Sequence, residues 1–269
     1  MEFDPVAAVK RAARARYAQQ LGFWDDDLRG IAKVFANSAL FAVREKRVAR
    51  VRYTKEPVAS LSDVSVRYTG EQLDQDDHIV YMQLCHLARG TNFGEAVEVA
   101  AGAMLRALEW SDSAESYQRL RQSLTRMLEG TVWVTDTKPK RTREYASHLI
   151  GSIAGVTDVH CTVWTVALDP DLAAIITGDE LTLINWVRHK RLTALAQWLH
   201  NHYATHDTPI PYKAATLHDL CGSKMANPRA FRLKLKKALD ELKAEQFIAH
   251  YEIGDRPSYL VTVRRTLDS

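Results

Sequence analysis

The chain has 269 residues, of which 46% are hydrophobic and 26% are charged, a composition typical of a globular protein with room for two domains. No run approaches the roughly 20 apolar residues of a membrane-spanning helix. The amino terminus lacks the apolar core of a signal peptide, so we expect a cytoplasmic protein with no membrane partner. The formal net charge of +3 is unevenly spread: residues 1–60 carry +5, residues 61–169 carry −5 and residues 170–269 carry +3. Because phosphate neutralisation supplies most non-specific affinity for DNA, the basic ends are the parts expected to bind nucleic acid.

Residues 1–30 are predicted to form a flexible basic arm. The first 20 residues are rich in Ala and Arg, and no long segment follows for a helix to pack against. The segment QLGFW then places Leu21, Phe23 and Trp24 beside a glycine and three aspartates. Aromatic side chains in such a segment indicate a short docking peptide, but the same side chains could instead fold back onto the first domain.

A first domain is predicted over residues 31–168. Its basic run between Arg44 and Lys55 can follow a phosphate backbone, or it can be a strand edge kept charged to prevent aggregation. Apolar periodicity then predicts a strand at VSVRY, a helix over residues 73–89, a strand at AVEVA, and helices over residues 101–110 and 114–130. Strands from TVWVTD onward complete the domain. The order is a strand, a helix, a helix-turn-helix and a β-wing.

The second domain, residues 169–269, repeats this plan with little sequence in common. DPDLAAIITG predicts a short helix, HKRLTALAQWLHNHYATH a long one, and ATLHDLCG another short helix that a glycine stops. After the turn GSKMAN, Asn227 caps a helix whose first residue is Pro228. The segments FIAHYEI and SYLVTVRR predict a β-hairpin. The predicted fold class is therefore α+β, with two tandem winged-helix domains behind a flexible basic amino-terminal arm.

The last helix is predicted to face duplex DNA. Phe231, Leu235, Leu239 and Leu242 form one apolar stripe, and most of the Lys and Arg side chains fall on the other side. A recognition helix presents long side chains to base edges in the major groove, while other cations hold phosphates. The residues predicted to face bases are Arg229, Arg232 and Lys236. Those predicted to face the backbone are Lys237, Lys243 and Arg256. The alternative is a solvated helix face on an ordinary domain.

The first domain has a corresponding but less basic set. On its last helix Arg119, Gln122 and Arg126 lie opposite the apolar stripe, and the predicted wing is tipped by Lys140, Arg141 and Arg143. Because this domain is acidic, its helix could instead serve only the core. Two such domains on one face of DNA would sit about one helical turn, roughly 10 bp, apart. A single chain could then recognise direct repeats as a monomer.

No catalytic set is found in the sequence. It has no phosphate-binding glycine loop, no nucleophile elbow and no paired cysteine motif, and its three cysteines are expected to be buried and reduced. The one metal-like cluster, His200, His202 and His206, lacks the glutamate of a zincin motif and is expected at the exposed end of a helix. We therefore predict no cofactor, no metal and no enzymatic activity. A metal-dependent enzyme is the alternative that these histidines leave open.

Five blocks of sequence, in order over about residues 20–251, carry a family resemblance: FANSALFAVREKRVAR, VRYTGEQLDQDDHIVYMQL, DPDLAAIITGDELTLINW, KRLTALAQWLHNHYATH and LCGSKMANPRAFRLKLKKALDELKAEQFIAH. They resemble the TrfA family of plasmid replication initiators. The resemblance implies two winged-helix domains that bind iterons, the direct repeats of a plasmid origin. It also implies opening of adjacent A+T-rich DNA and recruitment of the host replicative helicase and its initiator. A monomer–dimer equilibrium that limits copy number is implied as well.

The resemblance bears also on the QLGFW segment. In this family a Gln-Leu-x-Leu-Phe peptide before the first domain looks like a ligand for the bacterial sliding clamp. Gln20 and Leu21 are kept here, while Phe23 and Trp24 replace Leu and Phe. The resemblance therefore implies that residues 20–24 bind the clamp. The runner-up hypothesis for the whole chain is a winged-helix transcription regulator that binds a palindromic operator as an obligate dimer, which has no use for this segment.

Overall fold

A computed structural model describes residues 20–61, 64–138, 141–157, 162–173 and 180–266. Lys140 and the predicted arm before Gln20 lie outside these ranges. The described helices are α1 (Lys33–Ala36), α2 (Gln75–Leu87), α3 (Ala101–Ala107), α4 (Ala114–Glu129), α5 (Pro170–Ala173), α6 (Trp186–Arg191), α7 (Ala194–Ala204), α8 (Ala214–Leu220) and α9 (Pro228–Ala244). None of them is both long and apolar enough to cross a membrane.

The strands alternate with these helices in a mixed α/β order. The described strands are β1 (Leu28–Ala32), β2 (Phe41–Ala42), β3 (Arg52–Val58), β4 (Val64–Glu71), β5 (Leu73–Asp74), β6 (Ala96–Ala100), β7 (Thr131–Lys138), β8 (Arg141–His148), β9 (Ile150–Thr157), β10 (Thr162–Leu168), β11 (Leu181–Asn185), β12 (Tyr212–Lys213), β13 (Ile248–Ile253) and β14 (Leu260–Arg265). The α+β content agrees with the prediction.

The first hydrophobic core lies between helices α2 and α4 and a four-stranded sheet in the order β3-β4-β7-β8. Along β4 exposed and buried side chains alternate, so Val66 and Tyr68 face inward against Leu120 and Leu124 of α4. The basic run ends in β3, the outer strand of this sheet. Of the six basic residues in the run, Arg52 and Lys55 lie on this edge strand, and Arg44 and Arg50 pair with Asp74 and Asp77.

The amino-terminal part of the described chain belongs to this first core, which differs from the predicted arm over residues 1–30. Strand β1 pairs antiparallel with β11, with Leu28 opposite Asn185. The cluster also contains Leu21 and extends to Trp186. Leu21, Trp24 and strand β1 are therefore packed, and the first core reaches past the predicted boundary at residue 168. The pairing joins segments far apart in sequence, so local periodicity carried no sign of it.

A second core is built from α7, α8 and α9 and a small sheet in the order β12-β14-β13. The predicted hairpin is present as β13 and β14, and β12 adds a third strand to it. The long helix predicted over residues 189–206 is two helices, α6 and α7. At the break, the backbone nitrogen and Oγ1 of Thr193 bond to the Glu241 carboxylate at 2.9 and 3.0 Å, which holds the chain in an extended turn.

The two cores meet along a junction of main-chain and polar contacts. The Val43 amide donates to the carbonyl of Cys221 at 2.7 Å, and Val43 itself packs in the second core. The Trp198 indole donates to the carbonyl of Ser38 at 3.3 Å. Gly222, at φ +65°, ends the turn after α8 so close to β2 that an added Cβ would lie 2.8 Å from the Cβ of Ala42. The two units are therefore in direct backbone contact.

Candidate nucleic-acid interface

Helix α9 begins as its sequence predicts. The Asn227 side chain accepts hydrogen bonds from the amides of Arg229 and Ala230, at 2.9 and 3.3 Å, and Pro228 occupies the first helical position. One side of the helix is buried in the second core. The exposed side carries Arg229, Leu233, Lys236, Lys237 and Lys243, with one acid, Asp240, between the last two. A solvent-facing row of four cations therefore runs along the helix.

Arg232, another of the predicted base-facing side chains, is only partly exposed. Its guanidinium carbon is 3.9 Å from the centroid of the Tyr259 ring, in the turn between β13 and β14. The Tyr259 hydroxyl in turn accepts a hydrogen bond from Nε of Arg256 at 2.9 Å. The ring thus connects α9 to the hairpin turn. The sequence offered no signal for Tyr259, because the contact depends on how the hairpin folds back.

A cavity of about 630 Å³ lies between α8, the following turn, the start of α9 and the hairpin turn. His218 closes one side, with Nε2 3.1 Å from the carbonyl oxygen of Met225 and its ring edge-on to Phe231. Lys224 and Arg232 supply positive charge at its rim. The groove therefore combines an apolar floor with cationic walls beside the exposed face of α9.

Arg126, predicted to face DNA from the first domain, is buried instead. Its guanidinium pairs with Asp77 at 2.7 Å, and Asp77 also accepts a hydrogen bond from Ser123 at 2.6 Å and an ion pair from Arg50 at 2.9 Å. Asp77 belongs to the capping box at the start of α2, its carboxylate accepting from the Asp74 amide. A buried carboxylate needs partners of opposite charge, and Arg126 supplies one.

The other side chains of the first domain that were predicted to contact DNA are only partly accessible. Arg119 binds Asp76, with Nε to Oδ2 at 3.0 Å, and its guanidinium lies 3.7 Å from the centroid of the Trp110 ring. Gln122 is exposed. The backbones of Arg141 and Arg143 pair with β7, while their side chains and Lys140 lie outside the described atoms. Among the described side chains that were predicted to contact DNA from this domain, none is an exposed cation, whereas α9 exposes four.

Residues 20–24 dock on the first core, and this corrects the picture of a free peptide. Leu21 and Trp24 are each 3% exposed, whereas Gln20 and Phe23 are on the surface. The Trp24 indole donates to Nδ1 of His86 at 3.1 Å. Burial, together with the charges of Arg29 and Arg89, lowers the pKa of His86 to about 4, so the neutral ring can accept this bond.

The position of Phe23 differs from that of its neighbours. Its side chain is 78% exposed, with the Arg89 guanidinium carbon 5.3 Å from the ring centroid. Before it the backbone of Leu21 is held by two bonds, the Leu21 amide to the Thr91 carbonyl at 3.3 Å and the Gly90 amide to the Leu21 carbonyl at 3.0 Å, and after it the Trp24 side chain is buried. The segment thus presents one aromatic ring outward from a tethered backbone.

Two histidines of the metal-like cluster are not on an exposed helix end, as predicted, but in the junction between the cores, whereas the third, His206, follows the end of α7 and is partly exposed. His200 and His202 are fully buried. Nδ1 of His200 lies 3.0 Å from Nδ1 of His189, and Nδ1 of His202 lies 2.7 Å from Oδ1 of Asn37. Among the residues that the structure describes, no group of three His, Cys, Asp or Glu side chains is arranged to hold a metal. The apolar periodicity of α7 placed only its Leu and Tyr inside and missed these rings.

The two cores make this chain an α+β protein, and solved structures with a similar fold are known. One structure, of domains 2 and 3 of RctB, matches with a TM-score of 0.56 at 11% identity, over 87% of this chain and 98% of that one. A second, of RctB domains 2–3, matches with a TM-score of 0.53 at 13% identity, over 83% and 92%. These likenesses concern the fold.

The chain belongs to the TrfA protein family, whose model matches residues 15–264. A curated relative, the plasmid replication initiator protein TrfA of Escherichia coli, is 23% identical over 273 residues, which cover 93% of this chain and 69% of the relative. The sequence resemblance to this family is thereby confirmed, and with it the general class of plasmid replication initiator.

Proposed function

We propose that this initiator binds duplex iteron DNA in a plasmid origin, with residues 192–265 acting as a winged-helix domain. The observation that carries the proposal is the exposed row of Arg229, Lys236, Lys237 and Lys243 on a helix whose other side is buried. Helix α8, a tight turn and α9 have the order of a helix-turn-helix, and the hairpin beside them exposes Arg256. Long cations on a groove-sized helix fit both base edges and phosphates.

The junction between the units supports recognition of repeats by one chain. We propose that the first domain contacts a neighbouring groove with Gln122 and with the strand pair that carries Arg141 and Arg143, and that the Val43–Cys221 contact holds both domains in one orientation. Direct repeats suit a monomer with two domains in sequence. A transcription regulator that binds a palindromic operator as a dimer is the competing proposal. Footprinting the purified monomer on its own plasmid's origin separates them: tandem protection supports the initiator, and symmetric protection of an operator supports the regulator.

The proposed function includes steps that follow DNA binding. The bound initiator opens the adjacent A+T-rich DNA and recruits the host replicative helicase and its initiator, acting in the cytoplasm without catalysing a reaction itself. Dimers compete with the active monomer and so limit copy number. The family membership supports these steps.

Replacing Arg229 and Lys236 together by alanine is expected to weaken specific binding to an origin fragment by about 2 kcal/mol, because two contacts to base edges are lost. The slope of log affinity against log salt should change little, because that slope reports contacts to phosphates. Affinity is measured by fluorescence anisotropy over a salt series. The matched control removes two exposed charges elsewhere, Arg106 and Arg121. Equal losses in both variants would show that overall charge, and not the face of α9, controls binding.

We further propose that residues 20–24 bind the sliding clamp after Leu21 and Trp24 leave the first core. The exposed Phe23 ring supports an initial contact that does not need that release. Phe23→Ala should therefore lower affinity for the clamp at least tenfold and leave DNA binding unchanged, because an aromatic anchor dominates the energy of a short peptide contact. Surface plasmon resonance on immobilised clamp checks this. Val48→Ala, another exposed apolar truncation, is the control, and unchanged clamp binding by the Phe23 variant would contradict the proposal.

A further inference from the structure

One large apolar side chain stands among the cations on the exposed face of α9. Leu233 is 59% exposed, one helical turn after Arg229 and one turn before Lys236 and Lys237. It packs into neither hydrophobic core. The apolar side of the helix that packs in the second core does not include Leu233. Leu233 therefore contributes little to folding, and its side chain is open to a ligand that covers this face.

The surrounding charges indicate what that ligand is. Arg232 is turned away by its contact with Tyr259, so the centre of the face consists of Leu233 with Arg229 before it and Lys236 after it. A polyanion held by these two cations would exclude water from the leucine between them. In the major groove of duplex DNA the C5-methyl group of thymine is the apolar group that a leucine can meet.

We propose that Leu233 is a specificity-determining residue that contacts a thymine methyl group in the repeat. The inference rests on the proposed binding of duplex DNA through α9 and deepens it by naming a base. Residues four apart on a helix are about 6 Å apart along its axis, which is roughly two base-pair steps of 3.4 Å. The thymine should therefore lie about two base pairs from the base that Arg229 contacts.

The test uses the full chain and an origin fragment in which single thymines of one repeat are replaced by deoxyuridine, which removes only the methyl group. The wild-type protein should lose about fourfold in affinity at one position, the effect expected for one buried methyl group. Leu233→Ala should bind the thymine and deoxyuridine fragments equally. Leu233→Met, which keeps a long apolar side chain, should retain the preference.

Two controls show whether a lost preference for the thymine methyl group is due to the Leu233 side chain itself. Lys237→Ala should weaken binding to both fragments and leave their ratio unchanged. Thermal melting should show that Leu233→Ala folds normally, because alanine is a good helix former at an exposed position. The inference is overturned if Leu233→Ala keeps the wild-type ratio, or if no thymine in the repeat shows a methyl effect. A wild-type protein that does not bind the fragment at all would overturn the proposed function and this inference with it.

Discussion

Replacing Asp77 by alanine is expected to lower the free energy of unfolding by about 3–5 kcal/mol, the usual cost of removing one partner from a buried charge network. The Asp77 side chain is fully buried and holds Arg126, Arg50 and Ser123 at once. Its loss leaves two guanidinium groups short of a counter-charge and removes the capping contact to the Asp74 amide. Urea unfolding followed by circular dichroism measures the change.

The adjacent residue provides a control of the same chemistry. Asp76 pairs with Arg119 in a partly exposed setting, with 29% and 35% of the two side chains accessible. Because exposed ion pairs contribute little, Asp76→Ala should cost less than about 1 kcal/mol. Equal losses from the two variants would contradict the buried network. Arg126→Ala should likewise lower stability, and that result would separate its structural role from the DNA contact that its sequence position predicted.

Acid is expected to destabilise the junction between the two cores strongly. Burial lowers the pKa of His78, His200 and His202 to about 3. Burial and the adjacent His200 also lower the pKa of His189. In the unfolded chain these rings take up protons near pH 6.5, so the unfolded state binds more protons below that value. The stabilisation is therefore complete above pH 6.5 and is lost as the pH falls from 6.5 towards 3.

The size of this effect follows from the number of buried rings. Between pH 7.5 and pH 5.5 each histidine costs about 1.4 kcal/mol, which for the three with a pKa of about 3 amounts to about 4 kcal/mol. Chemical denaturation at pH 7.5, 6.5 and 5.5 measures the slope of the free energy of unfolding against pH. His202→Asn, which replaces one ring with an amide, should reduce the slope by the share of a single histidine. A slope that is unchanged in this variant would mean that His202 titrates normally.

Local signals in the sequence predicted the elements that matter most for the interface. Asn227 followed by Pro228 fixes the start of α9 by backbone hydrogen bonding alone, and the spacing of its apolar residues fixes which side is buried. The hairpin after it is likewise a local structure, because its two strands are joined by a short turn. Such features depend on neighbours in the chain and can be found without coordinates.

The predictions that were wrong concern side chains whose partners are distant in the sequence. Arg126 lies opposite an apolar stripe on α4, yet it faces inward because Asp77 of another helix needs a counter-charge. His200 and His202 are polar, yet the second core and the first close over them. Thr193 interrupts a sequence with helical periodicity because Glu241, on α9, binds its backbone. Each of these side chains is governed by a partner that the linear pattern does not bring near.

The close packing around Gly222 limits which substitutions this protein can accept during evolution. An added Cβ there would lie 2.8 Å from the Cβ of Ala42 and 3.1 Å from that of Ala39, and its φ of +65° disfavours any residue with a side chain. Glycine is already the smallest residue at position 222, and at positions 39 and 42 only glycine is smaller than the alanine present. A bulkier side chain at one of them would force the halves of the molecule apart, so these positions, distant in the chain, are expected to be inherited as a set.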